Sequence, residues 1–209
     1  VAQYFYPPMQ AVDMHALDVQ LAHAGTDQRK IHMLAREVFP KMRWKPPLAL
    51  HHHLLPGLTE PPKVAGDLNA DGMAVATMSK ADEVAAAKMS KSKPDSAVFI
   101  HDSPDEIRRK LGKAFCPPQV EGNPVLEFAK YLVFHEKKEL FIERPAKFGG
   151  NISFSSYAEL EQAFVGGKLN AMDLKNGVAS ALTEILAPVR KHFEGSSFLD
   201  VYKDAKITR

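Results

Sequence analysis

Leu17-Asp18-Val19-Gln20-Leu21-Ala22-His23-Ala24-Gly25-Thr26-Asp27-Gln28, followed by a periodic run to Phe39, decides how this chain folds. Leu17, Val19 and Leu21 alternate with polar residues, which is the period of a short strand. Gly25 allows a tight turn, and Thr26 can cap a helix from Asp27 to Phe39 whose buried face is Ile31, Leu34, Ala35 and Val38. Pro40 stops that helix, and Leu48, Ala49 and Leu50 suggest a second strand. Strand, helix, strand in this order implies a parallel βαβ unit, because parallel neighbours need a crossover between them. Ligands of such units gather at the carboxyl ends of the strands, so Gly25 to Gln28 and the segment after Leu50 border a candidate site. Upstream, Met9, Asp13 and Ala16 recur at turn spacing and read as a helix.

His51-His52-His53 ends the second strand. Consecutive strand residues point to opposite faces, so only His51 and His53 could share a metal, and no Cys or carboxylate cluster accompanies them. They read as partly exposed imidazoles at a strand end, and no metal site is assigned. Further on, Lys88-Met89-Ser90-Lys91-Ser92 sets two lysines and two hydroxyls in one run, ahead of Ser92-Lys93-Pro94-Asp95. Such a loop can close over a polyphosphate and stabilise charge developing on it. The segment Pro61 to Ala87 before it reads as an insertion, and the near copy of the run at Thr77-Met78-Ser79-Lys80 as a coincidence.

With 209 residues and 45% hydrophobic content the chain has length enough for one large domain or two modest ones. A net charge of +2 permits nucleic-acid binding without arguing for it, and a single cysteine, Cys116, excludes an internal disulfide and fits a reducing cytoplasm. No apolar run approaches the roughly 20 residues that cross a bilayer. The chain opens on Val1-Ala2-Gln3-Tyr4 without an initiator methionine, which suggests a processed chain or a piece of a longer one.

After the lysine run the pattern turns helical. Ser103-Pro104-Asp105-Glu106 is a capping box that opens a helix with Ile107, Leu111 and Phe115 on one face. Asn123-Pro124 starts another, through Val133. Leu140 and Ile142, then Ile152 and Phe154, read as two short strands joined by a turn at Gly149-Gly150. Ser156 and Glu159 form a second capping box, for a helix ending at Gly166-Gly167. Asp173 caps a long helix with an apolar stripe from Leu174 to Phe193 and a kink at Pro188. The domain boundary is drawn near residue 100: 1–100 as an α/β half with its insertion at 61–87, and 101–209 as a mainly helical domain.

Three separated stretches resemble, in order, motifs of archaeal and eukaryotic tyrosyl-tRNA synthetases of class I: Tyr6-Pro7-Pro8-Met9-Gln10-Ala11-Val12-Asp13, Gly25-Thr26-Asp27-Gln28-Arg29-Lys30-Ile31-His32, and Lys88-Met89-Ser90-Lys91-Ser92. Arg144-Pro145-Ala146-Lys147-Phe148-Gly149-Gly150 and Met172-Asp173-Leu174-Lys175-Asn176 continue the likeness. The resemblance implies the second half of a Rossmann-like catalytic domain followed by a helical anticodon-binding domain. It implies ATP-dependent activation of L-tyrosine and its transfer to tyrosine tRNA, with Mg²⁺ assisting, in a cytoplasmic homodimer. Tyr6, Gln10 and Gln28 would hold the amino group and body of tyrosine, and Asp13 would accept from its phenolic hydroxyl. A buried acceptor that phenylalanine leaves unpaired rejects it without editing, and the tyrosine enzymes are the standard instance of this. On spacing alone, Asp13 is a helix-surface carboxylate and Gln28 a solvated first-turn residue.

In the same reading Lys88, Ser90 and Lys91 stabilise the transition state as the tyrosine carboxylate attacks the α-phosphate of ATP. Phe148 would stack on the first anticodon base while Asp173 accepts from guanine's Watson–Crick edge, and Arg29 and Lys30 would approach the tRNA acceptor end. Without the family these four are a core phenylalanine, a helix N-cap and two solvated charges. Asn170 departs from the histidine of some archaeal members. The His-Ile-Gly-His-like motif expected near the amino terminus of class I synthetases is absent, which implies a carboxy-terminal part of a synthetase, inactive by itself. The alternatives are a tryptophanyl-tRNA synthetase relative, against which Asp13 after Tyr6 and Gln10 argues, or a non-catalytic tRNA-binding module.

Overall fold

The computed structural model describes residues 2–60, Met89 and 93–197. The insertion 61–87, the lysine-run residues Lys88, Ser90, Lys91 and Ser92, and 198–209 lie outside the described residues. The rest falls into two compact units, 2–54 and 55–60 with Met89 and 93–197. By packing, 55–60 and 93–100 go with the helical unit, although composition changes near residue 100. The reason is Leu58, fully buried in that unit's core, whose N–H donates to the Ser96 carbonyl while its own carbonyl accepts from Phe115 N–H.

The first unit begins with α1 (Ala2–Ala16), which holds Pro7 and Pro8 and so forgoes two ladder hydrogen bonds. Its end corrects the strand expected from Leu17, Val19 and Leu21. Asp18 adopts a left-handed φ of 50°, and Val19 N–H reaches back to Met14 O at 2.9 Å, so these residues close the helix. The strand β1 starts later, at Leu21–Gly25, and pairs in parallel with β2 (Leu48–His52), Leu21 opposite Leu48 and Gly25 opposite His52. Between them, Thr26–Gln28 form a 3₁₀ turn leading into α2 (Arg29–Val38). Thr26 is therefore inside the turn and does not cap α2, whose N-cap position, Gln28, makes no side-chain cap bond.

The buried face of α2 is also rotated from the expected one. Ile31, His32, Ala35 and the following Phe39 are buried, whereas Val38 is 37% exposed. Ala35 and Phe39 pack on Ala11 and Met14 of α1, and Trp44 lies edge-on to Phe39 and stacked on His15.

In the second unit Ser103 accepts from Glu106 N–H and opens α3 (Pro104–Lys113), as the capping box predicts. The helix ends before Phe115. Its inner face carries Lys110, 4% exposed, whose ammonium sits 2.6 Å from the buried Asp102 carboxylate and over the Phe99 ring. Asn123 accepts from Val125 and Leu126 N–H and opens α4 (Pro124–Phe128), which passes through one π turn (Ala129–Val133) into α5 (Phe134–Glu136). β3 (Leu140–Ile142) and β4 (Ile152–Phe154) pair antiparallel, Leu140 opposite Phe154. α6 (Tyr157–Val165) is capped by Ser156. α7 (Ala171–Phe193) runs on past Pro188, and its glycine, Gly177, lies so close to Ile142 that a Cβ there would come within 2.6 Å of it. Leu111, Leu126, Phe128, Leu140, Leu160, Leu174 and Val178 fill the core between these elements. Among the described residues no helix is long and apolar enough to cross a membrane.

Candidate functional site

Tyr6, Gln10 and Asp13 stand at i, i+4 and i+7 on α1, so they line one stripe of that helix beside the buried Ala11 and Met14. Tyr6 is 60% exposed and Asp13 is exposed. Gln10 differs: its side-chain oxygen Oε1 is enclosed and has no hydrogen-bond partner among the described residues. An enclosed amide oxygen without a donor is costly, and an ammonium or N–H arriving from a ligand would satisfy it. The three side chains thus offer an aromatic ring, an unmet acceptor and a carboxylate in sequence.

Gln28, Arg29 and Lys30 lie at the carboxyl end of β1, where the parallel pairing directs ligands. Gly25 just before them is required by closeness and not by turn geometry. Its φ is −67°, and a Cβ there would stand 2.6 Å from Leu54 and 2.7 Å from Asp27. Gln28 is half-buried; Arg29 and Lys30 are exposed and border a groove along α2 with Thr26, Met33 and Glu37.

The histidines at the end of β2 form two pairs that the sequence did not disclose. His51 Nε2 is 2.9 Å from His32 Nδ1, and His52 Nδ1 is 3.1 Å from His23 Nε2. Alternation along the strand sends His51 and His52 to opposite faces, each toward a different neighbour. Burial, and secondarily the nearby His51, lowers the pKa of His32 below its ordinary value. Among the described residues no three His, Cys, Asp or Glu side chains converge as a metal centre.

Of the lysine run, only Met89 is described, partly buried against the second unit's core. Lys88, Ser90 and Lys91 lie outside the described residues. In the helical unit, Phe148 closes a 3₁₀ turn (Ala146–Phe148) and is 55% exposed, with Lys147 Nζ 4.9 Å from its ring centre. Its exposure makes it a ring available for stacking and removes the core-phenylalanine reading. Gly149 and Gly150 follow at φ 97° and 73°, conformations that favour glycine.

Asp173 is 9% exposed and lies in the first turn of α7. It is not the cap. Asn170 is, accepting from Asp173 N–H through Oδ1 at 2.9 Å, and its Nδ2 donates in return to Asp173 Oδ2 at 2.9 Å. The signal for this was in the sequence, an Asn three residues ahead of an Asp where an apolar stripe begins. Arg144 had no such signal. Its backbone N–H donates to Asn151 Oδ1, its Nε donates to Gly150 O at 2.9 Å and its Nη1 to Lys168 O at 3.2 Å. One guanidinium therefore ties the Phe148 loop to the turn that leads into Asn170.

The chain is similar to several known proteins. Tyrosine–tRNA ligases of Thermococcus sibiricus and Pyrococcus furiosus are 47% and 48% identical to the chain along its whole length. The chain spans only 56% of either relative. The crystal structure of tyrosyl-tRNA synthetase complexed with L-tyrosine from Pyrococcus horikoshii superposes with a TM-score of 0.77 at 45% identity, over 95% of this chain and 54% of that one. The model of tRNA synthetases class I (W and Y) matches residues 1–187, and the chain belongs to that family.

Proposed function

We propose that the protein carrying this chain is a tyrosine–tRNA ligase, which activates L-tyrosine with ATP and transfers it to tyrosine tRNA. The observation that carries the reading is the enclosed, unmatched Oε1 of Gln10 between Tyr6 and Asp13 on one stripe of α1. An amino acid placed there satisfies the amide oxygen with its ammonium and, at the Asp13 end, offers a phenolic donor to a carboxylate. Gln28 adds a further polar contact from the end of β1. The relatives named above are tyrosine enzymes, which supports the phenol over an indole.

In this reading Lys88, Ser90 and Lys91 meet the phosphates of ATP and offset the charge that develops as pyrophosphate leaves. Mg²⁺ would accompany the nucleotide and supply positive charge against its phosphates. The tyrosyl-adenylate is then attacked by a ribose hydroxyl at the tRNA 3′ end, near Arg29 and Lys30. Phe148 stacks on the first anticodon base and Asp173 accepts from it. The working protein is a cytoplasmic homodimer.

Pyrophosphate exchange into ATP by the full-length protein tests the assignment. Exchange is expected with tyrosine and not with tryptophan, and Asp13→Ala should cut the preference for tyrosine over phenylalanine by roughly tenfold to a hundredfold, the worth of one hydrogen bond to a charged group. Equal exchange with tryptophan, or an unchanged preference in the variant, overturns it.

A further inference from the structure

We infer that Asn170 is the positioning residue for the Asp173 carboxylate, fixing which of its oxygens is presented to the first anticodon base. The inference rests on the anticodon reading above and assigns to Asn170 a role that acts through Asp173, without contact to RNA.

Asn170 spends both ends of its amide on one residue. Oδ1 takes the Asp173 N–H that the helix start would leave unpaired, and Nδ2 holds Asp173 Oδ2, each at 2.9 Å. Capping alone needs only the first of these bonds. The second constrains the carboxylate's rotation and leaves Oδ1 as its less encumbered acceptor. With Asp173 only 9% exposed, little water is at hand to replace that donor. The basic residue two positions on, Lys175, donates to Gly112 O instead.

Such a constraint matters because guanine's Watson–Crick edge presents two adjacent donors, N1–H and the 2-amino group, whereas adenine presents an acceptor at N1 beside a single amino donor. A carboxylate held in one plane is aligned with the two donors of guanine, while one free to turn loses that alignment and keeps at most a single amino contact, which either base can offer. The same construction extends to the stacking ring. Arg144 donates to Gly150 O in the Phe148 loop and to Lys168 O, two residues before Asn170. The loop that carries the ring and the turn before the carboxylate are thus tied through one guanidinium.

The test separates the cap from the donor. Asn170→Ser and Asn170→Thr each retain a capping acceptor and delete the amide N–H, with side chains too short to reach the carboxylate. Binding of the full-length protein to anticodon stem-loop RNAs carrying guanine, inosine or adenine at the first anticodon position is read by fluorescence anisotropy, with thermal melting alongside. The unaltered protein is expected to favour guanine over adenine at least tenfold, with inosine, which lacks the 2-amino group, between them. Both variants should fall to within about threefold across the three bases while melting within a few degrees of the parent, since losing a hydrogen bond to a charged group is worth about a factor of ten or more. Retention of the guanine preference in either variant overturns the inference, as does a loss seen only together with a collapse in melting temperature, which would make Asn170 a cap and nothing more. Absence of any base preference in the unaltered protein removes the anticodon reading itself, and the inference with it.

Discussion

The two compact units solve the problem of burial differently. In the helical unit, α3, α4, α6, α7 and the β3–β4 pair close around a core in which Leu111, Leu126, Leu140, Leu160 and Leu174 are at most 1% exposed. In the βαβ unit the buried cluster is Ala11, Met14, Ala35 and Phe39, while Leu21, Leu48 and Leu50 on one face of the parallel pair are 56%, 74% and 54% exposed. Parallel sheets are ordinarily covered on both faces, and among the described residues this pair is covered on one. Stability should therefore be concentrated in the unit that reads the anticodon in our proposal, and the unit proposed to hold tyrosine should open first.

The largest effect expected from that contrast is a core deletion in the helical unit. Leu111 is fully enclosed, so Leu111→Ala removes its transfer energy and leaves a cavity, for a loss of about 2 to 5 kcal/mol. Urea unfolding followed by helical signal measures it. A loss under about 1 kcal/mol would mean that this core collapses around the gap and is less rigid than its packing implies.

The same contrast explains what could be read in the sequence. Capping boxes are local, and both of them, at Ser103 and Ser156, locate their helices correctly. The parallel pairing of β1 with β2 also followed from element order alone. Failures came where a distant partner decides the outcome. Leu17 and Val19 alternate like a strand, yet the left-handed turn at Asp18 and the bond from Val19 to Met14 make them a helix end. Lys110, which no local pattern singled out, is buried in an ion pair with Asp102, eight residues earlier. At the site, the stripe of Tyr6, Gln10 and Asp13 was legible from spacing once the resemblance had singled out those types. The pairing of Asn170 with Asp173 was visible in principle but was read three residues late, with the cap assigned to the carboxylate. Arg144 opens one of the stretches that carry the resemblance, yet its tying role was not legible, because its three acceptors lie on a loop and a turn whose approach no periodicity encodes.

A smaller effect should appear with pH, and only in the βαβ unit. His32 is buried against His51, and burial holds its pKa below the ordinary value of 6.5. In the unfolded chain it titrates near that ordinary value, so below it the unfolded state binds the proton more readily. The stability contributed by neutral His32 is present above pH 6.5 and declines as the pH falls through 6.5 toward the lowered folded-state value. Protection factors from hydrogen exchange for amides of β1, β2 and α2 should drop across that interval, with no matching drop in α7. His32→Gln should flatten the dependence. An equal fall in both units would assign the effect to general charge repulsion.

The smallest effect belongs to the exposed strand face. Leu48 is 74% exposed, so Leu48→Ala removes little buried surface and should change stability by no more than about 0.5 kcal/mol, against several for Leu111→Ala, though the two side chains are chemically the same. The substitution sharpens the comparison because it holds chemistry constant and varies only enclosure. A loss above about 1.5 kcal/mol in the full-length protein would mean that Leu48 is enclosed there, since a side chain so open in this chain can cost that much only if other residues bury it. The same measurement made on the 209-residue chain then tells the two situations apart: a cost that vanishes in the chain and persists in the full-length protein assigns the cover to residues beyond the chain.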